Sequence, residues 1–224
     1  MQGPAFAWTV IGSAVLAVII AASGPALAQS PFGCSTPVSQ RPSEVGCYFT
    51  ASETLGVMAH SPVFWHLYRY PARAAAEAAK GQHGTVVESF GTVWLYTIAE
   101  EGSRPSAGER VAVIGPLTIV PSESYTARYM EAVFPTGIKT RIHRHSGPEA
   151  WYVLAGAQCL ETAQGITVAH AGEGAVVPQG PPMILESVGS EIRRLVLLVL
   201  HESSRPWSTL ASDWKPKGLC PNGY

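Results

Sequence analysis

Two imidazoles and a carboxylate carry the most chemistry in this sequence. His143 and His145 stand two apart in Lys139–His145, a stretch that reads as a strand, so both side chains leave the same face. Ser146-Gly147-Pro148 makes a turn, and Glu149 starts the returning strand. Two ring nitrogens and a carboxylate oxygen can then converge on one point. That mixed set suits one divalent transition metal: iron, manganese, zinc or copper. A bare His-x-His is a weak signal, because two partly exposed strand histidines give the same pattern. Glu149 and the flanking glycines tip the reading toward a metal site.

The neighbours of this trio divide by strand parity. Trp151 and Val153 share the parity of Glu149 and are expected to line a pocket beside it. Tyr129 is a further pocket candidate one strand earlier, next to Glu131, although the direction in which that strand faces is open. Arg141 shares parity with both histidines and could hold a substrate carboxylate or a rim salt bridge. His170 precedes a turn and His201 ends an apolar strand, while His60, His66 and His83 show no ligand spacing. No Gly-rich phosphate loop, nucleophile elbow or His-Glu-x-x-His is present in the sequence.

The elements that must position these residues are mostly strands. From Val111 onward, short apolar segments recur every eight to twelve residues with turn residues between them: 111–113, 118–120, 127–134, 139–145, 150–154, 158–162, 166–169, 175–177, 184–188 and 193–201. This spacing predicts an antiparallel sandwich or barrel. Upstream, Cys47–Leu55, Val63–Tyr70 and the segment 85–100 also read as strands. Pro71–Lys80 reads as an Ala-rich helix, with Pro at its first position and Arg73 and Glu77 paired at i,i+4. The expected organisation is a signal peptide at 1–28, an irregular segment at 29–46, a small α+β lobe and linker at 47–110, a barrel at 111–201 and a C-terminal tail at 202–224.

Composition narrows the function. The 224 residues include 15 basic and 16 acidic ones, a net charge of −1, which argues against a nucleic-acid partner. Val10–Ala22 is apolar, Gly24-Pro25 follows, and Ala26-Leu27-Ala28 matches a cleavage site. These features predict a secretory signal cut after Ala28 and a periplasmic or secreted protein with no stable membrane association thereafter. An uncleaved anchor is the competing reading, since Phe6–Ala22, 17 residues, is at the short limit for a span. In an oxidising compartment Cys34, Cys47, Cys159 and Cys220 are expected to pair, with three pairings open. Joining Cys34 to Cys47 would close a short loop worth about 3 kcal/mol in the chain-entropy model.

The stretch from Gly137 resembles the first cupin motif: Gly, five residues, His, one, His, three, Glu, six, Gly, at Gly137, His143, His145, Glu149 and Gly156. The second motif is matched at Gly172, Pro178 and Gly180, but Met183 stands where its histidine would be and Ser187 where its asparagine would be. The resemblance covers about Val111 to His201. It implies a mainly β chain with a cupin-type double-stranded β-helix, or jelly-roll barrel, beside a small α+β N-terminal lobe. It also implies a small-molecule ligand and a homodimer. Met183 sits in the fourth-ligand position, and a thioether is a weak ligand for hard or borderline ions. Three readings stay open: a metal held by His143, His145 and Glu149 alone, copper using Met183, or a metal-free barrel. The corresponding functions are an oxygenase, isomerase or lyase acting on a small organic substrate, or a metal-free binding module for a sugar or other small ligand.

Overall fold

A computed structural model describes residues 1, 3 and 33–221. The apolar run Val10–Ala22 and the expected cleavage after Ala28 lie outside the described residues. In chain order the elements are β1 (Gly46–Val57), β2 (Val63–Tyr70), α1 (Arg73–Ala79), β3 (Gly84–Ser89), β4 (Thr92–Ala99), β5 (Glu109–Leu117), β6 (Ser124–Phe134) and β7 (His143–Arg144). There follow β8 (Glu149–Ala155), β9 (Ala157–Thr162), β10 (Gly165–His170), β11 (Gly174–Val177), β12 (Met183–Val188), β13 (Arg193–Glu202) and β14 (Thr209–Leu210). The helix keeps its Arg73–Glu77 pair at 3.1 Å but starts two residues after Pro71. Among the described residues no helix is long and apolar enough to cross a membrane.

Three antiparallel sheets stack. The first has the order β1-β6-β13-β8-β11, the second β10-β9-β12-β7-β14 and the third β3-β4-β2-β5. The first and second sheets face each other as a jelly-roll barrel, with Met130, Ala132, Trp151, Val153, Leu195 and Met183 among its interior residues. The outer face of the first sheet is also covered. Tyr129, Ala150, Val196, Leu198 and Leu200 point there and pack on Trp65, Tyr96 and Ile98 of the third sheet. Burial on both faces explains why Leu195–Leu200 is a continuous apolar run rather than an alternation.

Strand pairing crosses the expected boundary at residue 110. β1 joins the barrel sheet along β6, and β5 pairs with β2 in the four-stranded sheet. Apolar pattern identifies a strand but not its partner, so neither assignment could be read from the sequence. The third sheet is therefore a layer on the barrel's outer face. Residues 118–120, expected to be a strand, instead hydrogen-bond to the Ser61 hydroxyl through the Ile119 amide. Lys139–His145 is a regular strand only at β7, although Thr140 N and Ser187 N still bond across to β12 and Ile138.

Both disulfides form, Cys34–Cys47 and Cys159–Cys220. The second ties the C-terminal segment to β9. Glu161 on that strand accepts hydrogen bonds from the backbone N–H groups of Lys217 and Leu219, which fixes the same segment a second way.

Candidate metal centre

The turn between the histidines and the glutamate is pressed against β13. A Cβ on Gly147 would lie 1.8 Å from the Leu200 carbonyl oxygen, so only glycine permits this approach. The Leu200 amide donates to the Pro148 carbonyl at 2.9 Å, and β8 then starts with Glu149 opposite Val199. Val199 faces the barrel interior, and so does Glu149.

The two histidines are oriented from behind. Nδ1 of His143 donates to the Arg141 carbonyl at 2.7 Å, and Nδ1 of His145 donates to the Trp207 carbonyl at 2.6 Å. A carbonyl can only accept, so each Nδ1 carries a proton, and Nε2 is the ring nitrogen left to bind a metal. The rings lie 4.9 Å apart, and one ligand atom from each of His143, His145 and Glu149 falls within 4.8 Å of the others. Burial, and after it the neighbouring His145, lowers the pKa of His143 and favours the neutral imidazole that binds metals.

Glu149 is the anomaly. It is 2% exposed, and Oε2 accepts no hydrogen bond although Nε2 of His145 is only 3.3 Å away. The other buried glutamates all have partners. Glu131 has Arg41 and Ser89, Glu161 has two backbone amides, Glu186 has Lys139, and Glu202 has Gln179 and Arg205. A buried carboxylate left without partners costs several kcal/mol. Neutral imidazole nitrogens cannot offset that cost, and a bound cation can. The donor set therefore fits a divalent ion.

Tyr129, expected beside the pocket, faces the opposite side of its sheet. It packs against Tyr96 and Trp65 at ring distances of 5.1 and 6.3 Å, and burial pushes its pKa well above the usual tyrosine value. Trp151 and Val153 face the barrel interior as expected, but they pack in its apolar core and are not among the residues that line the cavity. Met183 is buried there too, opposite His143 across the β12–β7 pair. Ser187 donates to the Phe134 carbonyl at 3.0 Å, a structural task. Arg141 is exposed on the cavity rim.

Three residues escaped the sequence reading. Trp207, in the segment taken as a tail, stacks on His145 at 5.6 Å and 17° and itself lies under the Arg128 guanidinium at 4.8 Å. It shields the imidazole it orients. Arg193 opens β13 and lines the same cavity of about 280 Å³ as the triad. Gln158 lines it from β9, on the same face as Leu160. The sequence offered only parity along β9 and β13 as a signal for the last two, and parity points inward only once the register is known.

No family model matches the sequence, and no curated protein matches it. Among solved structures, the chain is similar to a cupin superfamily protein from Desulfitobacterium hafniense (9% identity, 38% of this chain and 74% of that one, TM-score 0.32). It is also similar to a cupin-like protein from Thermotoga maritima (11%, 41% and 78%, TM-score 0.32) and to oxalate decarboxylase from Bacillus subtilis (20%, 42% and 25%, TM-score 0.33). This chain thus spans a quarter of the decarboxylase. β1 and β6 to β14 form a two-sheet antiparallel jelly-roll barrel.

Proposed function

We propose that this is an exported metal-dependent cupin that holds one divalent transition ion through His143, His145 and Glu149 and acts on a small organic substrate in the adjoining cavity. The observation that supports the reading is the buried Glu149 carboxylate, whose Oε2 has no hydrogen bond among the described residues while His143 and His145 each bring a ring nitrogen to it. The two disulfides support an oxidising compartment. When bound, such an ion supplies Lewis acidity and open positions for substrate.

The chain's own residues do the rest. The Arg141 and Trp207 carbonyls fix the histidine tautomers, and the Trp207 ring keeps water from one face of His145. Glu149 supplies the negative charge that neutral Met183 cannot. Apolar walls from Leu185, Leu195 and Leu197 hold the substrate beside the triad.

Elemental analysis of purified protein after supplementation with iron, manganese, zinc or copper tests this. One ion per chain is expected, absent in His143→Ala and Glu149→Ala. At an ion concentration 100 times Kd, binding should stabilise the fold by about 2.7 kcal/mol, seen as a melting shift that chelator reverses. A folded protein that takes up none of these ions overturns the proposal in favour of a metal-free binding module.

A further inference from the structure

The barrel cavity has two chemically different ends. Val199 lies opposite Glu149, and Arg193 is six residues earlier on β13 with the same inward parity. Between them the wall is Leu195, Leu197 and, from β12, Leu185. One end therefore carries the triad and the other a guanidinium, with an apolar stretch joining them.

The Arg193 side chain is unusual. The residue is 3% exposed, and its guanidinium makes no hydrogen bond or ion pair among the described residues. The guanidinium lies over the face of the Phe134 ring, 4.9 Å from the centroid. Burial pulls its pKa down to about 9, with the charge of Glu149 opposing, so the group remains a cation at neutral pH. Gln158 lines the same cavity and is 2% exposed. The backbone is built to hold Arg193 there: Gly156, at φ +68°, packs so closely on it that a Cβ would lie 2.9 Å from the Arg193 Cα. Buried polar groups are ordinarily satisfied, and a planar guanidinium with free donors matches a carboxylate. The NH2 group of Gln158, which lines the same cavity, is the further donor an acid would meet there.

We propose that Arg193 and Gln158 form a carboxylate-binding subsite, holding the acid group of a short-chain organic acid whose apolar chain runs along Leu195, Leu197 and Leu185 toward His143, His145 and Glu149. This names the substrate class of the site proposed above and rests on that reading only for what the far end of the acid meets. The subsite itself needs no metal.

Calorimetric titration of the full chain with sodium hexanoate and with hexan-1-ol, metal-free and Zn(II)-loaded, is the test. Hexanoate is expected to bind the metal-free protein at least tenfold tighter than the alcohol, as a charge-assisted bond predicts. Arg193→Gln should abolish that preference while Zn(II) content by elemental analysis is unchanged. Should Arg193→Gln fail to fold, Gln158→Leu is expected to weaken hexanoate by about threefold to tenfold, in line with one lost hydrogen bond, and to leave hexan-1-ol unaffected. Equal binding of acid and alcohol, or an unchanged preference in the folded variants, overturns the subsite. So does binding of inorganic phosphate in place of hexanoate. A protein that ignores Zn(II) yet prefers hexanoate keeps the subsite and loses the metal reading; Zn(II) uptake without that preference does the reverse.

Discussion

Glu131 and Glu149 lie on strands that flank β13 in one sheet, and both are removed from solvent. Glu131 stands opposite Val196 and faces the third sheet, where Arg41 and the Ser89 hydroxyl, at 2.6 Å, take its two oxygens. Glu149 stands opposite Val199 and faces the barrel, where its Oε2 accepts no hydrogen bond among the described residues. The cations divide in the same way: Arg41 is paired with Glu131, whereas Arg193 is buried with no ion pair among the described residues. Identical side chains have been satisfied by the fold on one face and left unsatisfied on the other. The first face is finished by folding, and the second is finished by what it binds.

Breaking the satisfied side should have the largest effect. Arg41→Ala strands the Glu131 charge in the interlayer core and is expected to lower stability by about 3 kcal/mol, read from urea unfolding. Adding Glu131→Gln to that variant should recover most of the loss. A loss below about 0.5 kcal/mol would place Arg41–Glu131 among ordinary surface pairs, and the contrast between the faces would fail.

The unsatisfied side predicts gains. Met183→His puts a third imidazole opposite His143, so Zn(II) affinity should rise on the order of tenfold, about 1.4 kcal/mol. Unchanged affinity would mean that this position does not look onto the triad. In metal-free protein, Glu149→Gln removes an uncompensated charge and should stabilise the fold by about 1 kcal/mol, while abolishing stabilisation by Zn(II). Destabilisation comparable to that of Arg41→Ala would show that Glu149 is as structural as Glu131.

This two-faced sheet also decides what could be read from the sequence. The triad was legible because it is local: a two-residue period, a glycine-bearing turn and a returning strand fix three side chains without long-range information. Most strands downstream of Ala127 were legible from turn spacing. Tyr129 was not, because β6, β8 and β13 are buried on both faces and alternation no longer distinguishes inside from outside. Arg193, Gln158 and Trp207 depend on register and on a disulfide-tethered segment folding back, which are contacts between residues far apart in the chain. The same holds for β1 and β5, whose sheets are chosen by partners rather than by pattern.

Two histidines give the smallest and last test. His66, buried on β2, donates through Nε2 to the Glu100 carbonyl at 2.9 Å, and its Nδ1 has no partner. His143 is turned the other way, with Nδ1 occupied and Nε2 facing the cavity. Burial is the main cause of the lowered pKa of His66; the Arg104 and Arg110 charges add to it, while the Glu100 carbonyl opposes. The unfolded chain takes up this proton near the ordinary value of 6.5, and the folded chain resists until lower pH. Below that value the unfolded state binds more protons, so stability is complete above about pH 6.5 and falls as the solution is acidified. His143 and His201 are shifted in the same direction, so His66→Gln should make the decline shallower without removing it. Urea midpoints at about pH 7.5, 6.5 and 5.5 read the slope. Adding Zn(II) should steepen the slope in the wild type and in His66→Gln, because protons compete for the ligands, but not in His143→Ala. A slope that Zn(II) leaves alone would place His143 with His66, as a core histidine whose open nitrogen serves nothing.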